Sequence, residues 1–189
     1  MLREIRIHGR GGQGSVSAAE VLAHAAFIEG KWVQAFPYFG AERRGAPVKA
    51  FARISSEPLL VHSQVYSPDY VIVLDPYIHK VVDVTEGLKE EGVIVMNTKK
   101  KPAELGLEGW RVGTVDATGI ALELNLLVAG LPVVNTSILG AFAKASGEVK
   151  LTSVLQAVKE TWSGAAGEKN ARATEFAYER LTKWWDGEG

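Results

Sequence analysis

The sequence predicts an α/β domain with a mostly parallel sheet, helices on both faces and a helical C-terminus. Two continuous apolar runs, residues 70–74 and 93–96, are typical of strands that are buried on both faces of a parallel sheet. Residues 9–14 hold four glycines between a short apolar alternation and an alanine-rich run, which is the pattern of a strand, a tight turn and a helix. Strands and helices then alternate along the chain, as they do in layered α/β proteins.

The N-terminal elements are a strand, a helix and a second strand. Ile5 and Ile7 alternate with polar residues in the first strand, residues 15–28 carry apolar side chains at helical spacing, and residues 32–36 form the next strand. The segment 36–47 then has the pattern of neither helix nor strand. Loops of this length in a compact domain are more often functional than not.

The central part of the chain supplies most of the predicted sheet. Residues 48–54 alternate with a period of two, so we expect a strand with one solvated face, and residues 61–66 pair with it. After the strand at 70–74 we expect a helix at 78–91 and the buried strand at 93–96.

The C-terminal part is predicted to be mainly helical. A strand at 110–115 precedes a helix at 119–128, which Asp116 caps. Further helices are expected at 138–145, 151–162 and 168–185. The last of them carries a core-facing stripe of side chains at helical spacing, namely Ala171, Thr174, Tyr178, Leu181 and Trp185.

Composition limits the classes of function. The chain has 21 basic and 22 acidic residues, so no attraction to nucleic acid or membrane is implied. It has no cysteine, which excludes a disulfide framework, a thiolate-bound iron–sulfur cluster and a cysteine zinc site. The longest apolar run, residues 120–134, is interrupted by polar residues and proline and is not a membrane span, and no signal-peptide pattern is present. We expect one soluble, cytoplasmic domain over residues 1–189.

The glycine turn is the first candidate site. Gly9, Gly11 and Gly14 match the pattern G-x-G-x-x-G of a Rossmann-like three-layer fold, in which the helix N-terminus offers backbone N–H groups to an anion. A tight turn that binds nothing is the alternative. A nucleoside-triphosphate loop needs a lysine where Ser15 stands, so that class is excluded. A nicotinamide or flavin site needs an acid at the end of the second strand, where residues 34–37 hold none.

The aromatic segment that follows the second strand is a candidate docking loop. Aromatic side chains beside Arg43 and Arg44 suit contact with a partner protein or an anionic ligand. The alternative is a surface ion pair with Glu42, which contributes little. Residues 36–39 and 184–185 together hold more apolar surface than one solvated domain needs, and Trp184 is the better interface residue because Trp185 lies on the core stripe.

No self-contained catalytic constellation is present. The four histidines lack the spacing of a metal site, and we interpret His8 as a hydrogen-bonded residue at a strand end. No nucleophile elbow of the G-x-S-x-G type occurs. These observations favour one part of a larger enzyme.

Four segments of the chain resemble the gamma subunit of 2-oxoacid:ferredoxin oxidoreductases. They are GRGGQG at 9–14, FPYFGAERRGAPV at 36–48, NTSILGA at 135–141 and GEKN at 167–170, so the resemblance covers nearly the whole chain. The form Glu-Arg-Arg-Gly-Ala-Pro is most similar to the pyruvate members, the pyruvate synthases.

The resemblance implies a subunit that is inactive alone. Its complex converts pyruvate, coenzyme A and oxidised ferredoxin to acetyl-coenzyme A, carbon dioxide and reduced ferredoxin. In such enzymes thiamine diphosphate, Mg and the [4Fe–4S] clusters belong to partner subunits, here the alpha, beta and delta subunits. The absence of cysteine from this chain agrees with that division.

Gamma-type domains of this family are associated with handling coenzyme A and with packing against the catalytic subunits. A glycine turn and an arginine pair suit the pyrophosphate or 3′-phosphate of coenzyme A. No catalytic or metal-binding residue is expected in this chain. The expected coenzyme A-binding residues are Gly9, Gly11, Gly12, Gln13, Gly14, Arg43, Arg44, Asn135 and Thr136.

Three alternatives stay open at this point. One is a gamma subunit of the related 2-oxoisovalerate or 2-oxoglutarate enzymes. Another is a stand-alone nucleotide-binding Rossmann domain, and the third is a gamma subunit whose glycine turn is only structural.

Overall fold

The computed structural model describes residues 1–38, 45–183 and 185, and these residues form nine strands and five α-helices. The strands are β1 (Leu2–Arg10), β2 (Trp32–Pro37), β3 (Pro47–Ser55), β4 (Tyr70–Val73), β5 (Val93–Asn97), β6 (Arg111–Val115), β7 (Leu127–Val128), β8 (Leu131–Pro132) and β9 (Thr182–Lys183). The helices are α1 (Ser15–Ile28), α2 (Ala117–Glu123), α3 (Ser137–Ser146), α4 (Leu151–Thr161) and α5 (Gly164–Glu179). None of these helices has both the length and the apolar character that crossing a membrane requires.

The centre of the molecule is a seven-stranded sheet in the order β2-β3-β1-β4-β5-β6-β9. β1, β4, β5 and β6 are parallel neighbours, while β3 runs antiparallel between β1 and β2, and β9 runs antiparallel to β6. The predicted α/β class with a largely parallel sheet is confirmed. In this order β3 separates β2 from β1, so the end of β2 is not beside the glycine turn as it is in a dinucleotide-binding unit.

One face of the sheet packs against the α-helices. Ile5, Ile7, Ile72 and Val95 belong to this main apolar cluster, to which all five helices contribute buried side chains. The alanine-rich sequence of α1 lets this helix pack closely against β2 and β3, because alanine side chains add little thickness between the two layers.

The other face is covered by connecting segments. Residues 75–92 and 98–110 carry two short 3-10 turns, and Val71, Val73, Ile94 and Met96 pack against them in a second apolar cluster. Helices were expected on both faces, but in the described part of the chain the α-helices contribute to the first cluster only. The expected helix at 78–91 is reduced to the 3-10 turn Ile78–Lys80.

Local chemistry explains why no helix forms there. The Asp83 carboxylate accepts hydrogen bonds from the N–H and the hydroxyl of Thr85, at 2.9 and 2.6 Å, which closes a turn instead of a helix. Gly87 has φ +68°, and a Cβ on it would lie 2.1 Å from the carbonyl oxygen of Tyr66. Only glycine permits this close approach of two loops.

The outer side of β3 is buried, contrary to the expectation of one solvated face. Arg53 on that side is almost fully buried and bonds the Glu4 carboxylate at 2.9 Å and the Ser63 carbonyl at 2.7 Å. Residues 61–66 form no strand, because their carbonyl groups bond this guanidinium and not a neighbouring strand.

The predicted helix bounds hold at the start of the chain and fail toward its end. Residues 15–28 are helical as predicted, and Asp116 caps α2 by accepting a hydrogen bond from the N–H of Gly119 at 2.8 Å. However, α2 ends at Glu123, since Asn125 adopts φ +49°, and a β-hairpin follows. The helix expected to reach Trp185 ends at Glu179, and the chain then adds β9 to the sheet edge.

Candidate functional site

A cleft of about 810 Å³ lies at the carboxyl edge of the parallel strands. The glycine turn follows β1, Asp75 follows β4, Asn97 ends β5 and Thr118 follows β6, and all of these segments line the cleft. Carboxyl ends of parallel strands meet at one edge of a sheet, which is where open α/β proteins bind their ligands. The topology therefore brings together residues that are far apart in the sequence.

The glycine turn presents open backbone donors to this cleft. Gly12 and Gly14 adopt φ +96° and +80°, which side chains rarely allow, and Gly14 precedes α1 without any side-chain cap. The N–H groups of Gly11 and Gln13 are already bonded to the carbonyls of Ala46 and Arg10, both at 2.9 Å. The N–H groups of Gly12 and Gly14 have no acceptor among the described residues. They can donate to an anion at the helix N-terminus.

Gln13 holds the turn in shape. Its side-chain oxygen accepts a hydrogen bond from the Arg10 N–H at 2.7 Å, and its amide nitrogen donates to Asp75 at 3.2 Å. The Arg10 guanidinium also pairs with Asp75 at 3.2 Å and donates to the Gly45 carbonyl at 3.2 Å. Gln13 is therefore committed to the protein itself. The expected coenzyme A-binding residues did not include Arg10 or Asp75.

Two buried polar atoms beside the turn lack a hydrogen-bond partner in the described part of the chain. They are the side-chain oxygen of Asn135, which lines the cleft and is 7% exposed, and the hydroxyl of Ser15, which is 3% exposed. Buried polar atoms without partners are rare in folded proteins because they lose their bonds to water. A Cβ on Gly9 would lie 2.4 Å from this hydroxyl, so Gly9 serves the close packing of the turn.

The residue after Asn135 has a different environment. Thr136 is fully buried, does not line the cleft, and donates a hydrogen bond from its hydroxyl to the side-chain oxygen of Asn170 at 2.6 Å. Asn170 lines the cleft, and its amide donates to the Ala166 carbonyl at 2.9 Å. Thr136 thus fixes Asn170, a residue that the sequence prediction left out.

A hydrogen-bonded floor joins three strand ends beneath the cleft. The Asn97 amide donates to the Leu74 carbonyl at 2.8 Å and to the Thr118 hydroxyl at 2.9 Å, and the Asn97 oxygen accepts from the Thr118 N–H at 3.1 Å. Both hydrogen-bonding ends of the Asn97 side chain are used in this way. This arrangement fixes the relative positions of β4, β5 and α2.

One wall of the cleft is apolar. The β7–β8 hairpin turns at Ala129 and Gly130, both with positive φ, and exposes Leu127, Val128 and Leu131. Trp162 also lines the cleft. The hairpin was missed because its apolar residues continue the pattern of α2. The signal in the sequence was Ala129-Gly130 between two apolar pairs.

Several predicted residues lie outside the described residues. They are Arg43 and Arg44 of the expected anion site and Phe39 and Trp184 of the expected interface. Gly45, which follows Arg44, donates its N–H to the Gly11 carbonyl at 3.2 Å, so the chain re-enters the described part beside the glycine turn. Trp185 packs against the main apolar cluster, as predicted.

His8 is a neutral structural residue. The Arg6 guanidinium donates a hydrogen bond to the His8 Nε2 at 2.9 Å, which leaves no room for a proton on that nitrogen. Burial, with the nearby charges of Arg6 and Lys49, lowers the pKa of His8 to about 3. Within residues 1–38, 45–183 and 185, no three histidine or carboxylate side chains come together as metal ligands would.

The chain is similar to known oxidoreductase subunits along most of its length. Residues 4–180 match the family of pyruvate ferredoxin/flavodoxin oxidoreductases. The pyruvate/ketoisovalerate oxidoreductases common subunit gamma of Thermococcus kodakarensis is 58% identical over 181 residues, which cover 94% of this chain and 96% of that protein. The pyruvate synthase subunit PorC of Methanothermobacter marburgensis is 56% identical over 178 residues, with 94% and 97% covered.

The fold agrees with this similarity. The crystal structure of the pyruvate oxidoreductase subunit PORC from Thermotoga maritima superposes with a TM-score of 0.82, at 35% identity and with 96% of this chain and 98% of that chain covered. The chain therefore belongs to the pyruvate ferredoxin/flavodoxin oxidoreductase family, as a gamma-type subunit of this multi-subunit enzyme.

Proposed function

We propose that this gamma-type subunit binds coenzyme A in the cleft and presents it to the catalytic subunits of a pyruvate:ferredoxin oxidoreductase. The complex would consume pyruvate, coenzyme A and oxidised ferredoxin and release acetyl-coenzyme A, carbon dioxide and reduced ferredoxin. The alpha, beta and delta subunits are the proposed partners, ferredoxin is the proposed acceptor, and the proposed location is the cytoplasm.

The observation that carries the proposal is the open polar end of the cleft. The N–H groups of Gly12 and Gly14 donate no hydrogen bond to any of the described residues. The side-chain oxygen of Asn135 beside them is buried and has no hydrogen-bond partner among those residues. Two free N–H donors at a helix N-terminus match a phosphate group. The Asn135 oxygen matches a donor such as an amide N–H of the pantetheine arm.

The apolar end of the cleft supports the same ligand. Coenzyme A combines charged phosphates with a flexible, largely uncharged pantetheine arm. Leu127, Val128 and Leu131 of the hairpin offer that arm an apolar surface. The cleft volume lies within the usual range for small-molecule and cofactor sites.

The other cofactors are assigned to partner subunits. The chain has no cysteine to hold an iron–sulfur cluster. We therefore propose that thiamine diphosphate, its Mg and the [4Fe–4S] clusters all lie on the alpha, beta or delta subunits. The subunit alone is then inactive. If the isolated chain reduced ferredoxin with electrons from pyruvate, this assignment would be contradicted.

We propose that the 2-oxoacid is pyruvate and that this subunit is shared between a pyruvate and a ketoisovalerate oxidoreductase. The Thermococcus relative is named as a subunit common to pyruvate and ketoisovalerate oxidoreductases. If the 2-oxoacid is bound entirely on other subunits, a gamma subunit can serve both enzymes.

Kinetics of the reconstituted complex test the proposal. Gly12 has no heavy atom within 4 Å of a Cβ position, so Gly12→Val would place its side chain in the open cleft. We expect the KM for coenzyme A to rise roughly 10- to 100-fold, as for the loss of a charge-assisted hydrogen bond, while the KM for pyruvate is unchanged. Arg43→Ala and Arg44→Ala are expected to act in the same direction.

Gly147→Val is the matched control for this substitution. Gly147 also has a positive φ and open space at its Cβ position, but it ends α3 and does not line the cleft. If Gly12→Val raised the KM for coenzyme A and the KM for pyruvate equally, the turn would instead hold the complex together.

A structural role of the turn is the second candidate. The N–H groups of Gly11 and Gln13 are already satisfied inside the chain, and Gly14 packs against Asn135, as a purely structural turn requires. An unchanged KM for coenzyme A in Gly12→Val would favour this function. Calorimetric titration with coenzyme A and with NAD separates these two functions from that of a stand-alone nucleotide-binding domain, which would bind NAD. The position of β3 between β2 and β1 disfavours such a domain.

A further inference from the structure

β2 forms a free edge of the central sheet. It is the terminal strand in the strand order, and in the described part of the chain no further strand pairs with its outer edge. Every residue of β2 keeps some exposure to solvent, whereas the interior strands β4 and β5 are buried along their whole length. The strand at the opposite edge, β9, has only two residues. β2 therefore offers the longer of the two backbone edges of this sheet.

The pairing of β2 with β3 shows which backbone groups point outward. The N–H of Tyr38 donates to the carbonyl of Lys49 at 3.0 Å, so these two residues form a hydrogen-bonded pair of the antiparallel ladder. Hydrogen-bonded and non-hydrogen-bonded pairs alternate in such a ladder, so every second residue of β2 back from Tyr38 also bonds β3. The N–H and C=O groups of Val33 and Ala35 consequently point away from β3. No turn or loop of the described residues bonds them.

This edge lacks the features that usually keep edge strands apart, which are charged side chains, bulges and very short strands. β2 has the sequence WVQAFP, with no charged residue, and its register with β3 is unbroken over six residues. Pro37 stands at the end of the strand and leaves the N–H groups of Val33 and Ala35 open. Trp32, at the other end, is 52% exposed. An uncharged, unbroken edge of this length favours pairing with another strand.

We propose that the free edge of β2 binds β2 of a second copy of this chain, antiparallel and about a two-fold axis at Gln34. The N–H and C=O groups of Val33 then bond the C=O and N–H groups of Ala35 in the other copy, and the symmetry-related pair does the same. An axis at Ala35 would instead set Val33 against Pro37, which has no N–H to donate. The pairing joins two sheets into one and brings two oxidoreductase complexes together.

The side chains of β2 complement themselves in this register. On the outer face, Trp32 of each copy stands opposite Phe36 of the other, and aromatic cross-strand pairs stabilise antiparallel strands. No like charges meet, because β2 is uncharged and the preceding Lys31 falls opposite Pro37. A strand of a catalytic subunit is the other occupant that such an edge accepts, but it would not require β2 to be complementary to itself.

Cysteine cross-linking tests both the partner and the register. The chain has no cysteine, so a single introduced thiol reports only its own position. Gln34 stands opposite itself across the axis, in a non-hydrogen-bonded pair with about 4.5 Å between the Cα atoms, which a disulfide spans. We expect Gln34→Cys to give a disulfide-linked dimer of this chain, in the purified subunit and in the intact complex, when diamide oxidises the two thiols.

Trp32→Cys is the matched control for this cross-link. Trp32 is more exposed than Gln34, so random collisions would link it more readily. In the proposed pairing the two copies of Trp32 lie four residues apart along the strands, which places their Cα atoms more than about 13 Å from each other. A disulfide does not span that distance, so no cross-linked dimer is expected.

Ala35→Pro removes the donors at the centre of the pairing. The Ala35 N–H does not bond β3, and proline is accepted at such outward positions of edge strands. Two symmetry-related hydrogen bonds are lost, so the dissociation constant of the dimer is expected to rise about 30-fold. Sedimentation of the purified subunit and of the intact complex measures this change. An unchanged urea midpoint, extrapolated to low protein concentration, shows that the variant folds.

Trp32→Lys tests the aromatic pairs. Lysine is a side chain that natural proteins use to keep edge strands apart, and here it replaces both contacts with Phe36. We expect the dissociation constant to rise about tenfold. Tyr66→Lys is the matched control, because Tyr66 is also an exposed aromatic residue, at 67%, but lies outside the sheet. It is expected to leave the dimer unchanged.

Three results would overturn the inference. The first is a wild-type subunit that sediments as a single chain, together with a complex that holds one copy of it. The second is a disulfide in Trp32→Cys but not in Gln34→Cys. The third is an Ala35→Pro variant that separates this chain from its catalytic subunits, because the edge would then bind one of those subunits. None of these results bears on the coenzyme A proposal, since β2 does not line the cleft.

Discussion

Replacing Gly14 by alanine tests how the glycine turn is built. Gly14 has φ +80°, and a Cβ on it would lie 2.5 Å from the amide nitrogen of Asn135. Gly12, two residues earlier, has φ +96° with open space around its Cβ position. Alanine at Gly12 therefore meets backbone strain alone, whereas alanine at Gly14 meets the same strain and a steric overlap.

The two substitutions give different expected losses of stability. Left-handed backbone destabilises alanine by roughly 1–2 kcal/mol, and inserting a carbon into a packed site destabilises by a further 1–3 kcal/mol. We expect Gly12→Ala to lower the free energy of unfolding by about 1.5 kcal/mol and Gly14→Ala by about 3.5 kcal/mol. For a domain of this size the melting temperatures would fall by roughly 3–6 °C and 7–14 °C.

Thermal and urea unfolding of the purified subunit measure these losses, and a double variant isolates the contact. In the Asn135→Ala background the overlap with the amide is removed and only the contact with Cβ, at 3.3 Å, is left, so the loss in Gly14→Ala is expected to fall toward that of the strain alone, about 1.5 kcal/mol. Equal destabilisation by Gly12→Ala and Gly14→Ala would refute the steric argument. If Gly14→Ala lowered the free energy of unfolding by the same amount in the Asn135→Ala background as in the wild-type protein, the steric argument would also be refuted.

Two further predictions concern stability. His8 is neutral in the folded protein, where its pKa is lowered from 6.5 to about 3. Below pH 6.5 the unfolded chain binds a proton at this residue and the folded chain does not. The contribution of His8 to the free energy of unfolding is therefore fully present above pH 6.5 and is lost as the pH falls below that value. Between about pH 7 and pH 5 the wild-type protein should lose ~2 kcal/mol more in urea unfolding than His8→Gln, and equal losses would contradict the assignment. Ala129 has φ +49° in the hairpin turn, so Ala129→Gly should raise the free energy of unfolding by up to about 1 kcal/mol, whereas Ala145→Gly inside α3 should lower it by about as much. A loss of stability in Ala129→Gly would show that the turn is not strained.

The elements that could be predicted from the sequence are those that a pattern of a few neighbouring residues specifies. The apolar runs that became β4 and β5 and the glycine turn before α1 each carry their information within a few residues. The segment 78–91 was predicted wrongly because its side chains bond nearby backbone and its glycine packs on a distant loop. The outer side of β3 was misassigned because Arg53 looks like a surface residue until residues 61–64 fold over it.

The candidate site was predictable only in part for the same reason. The turn at residues 9–14 has a sequence pattern, and the resemblance to the family added Asn135 and Thr136. The sequence cannot show that Asn135 faces the cleft while Thr136 points into the protein, since this depends on how α3 and α5 pack. Tyr77 and the hairpin join the site through the way distant segments pack around the cleft, which no local pattern encodes.

Arg53 gives the loop over the outer side of the sheet an unusual kind of cooperativity. Its guanidinium donates to the carbonyls of Val61, Ser63 and Gln64, at 3.5, 2.7 and 3.4 Å. A pair of strands can fray from one end, one hydrogen bond at a time, because each bond has its own donor. Here a single side chain supplies every donor, so withdrawing it releases all three carbonyls together. We therefore expect residues 61–64 to open as one unit, with Arg53 and Glu4 becoming exposed to water together.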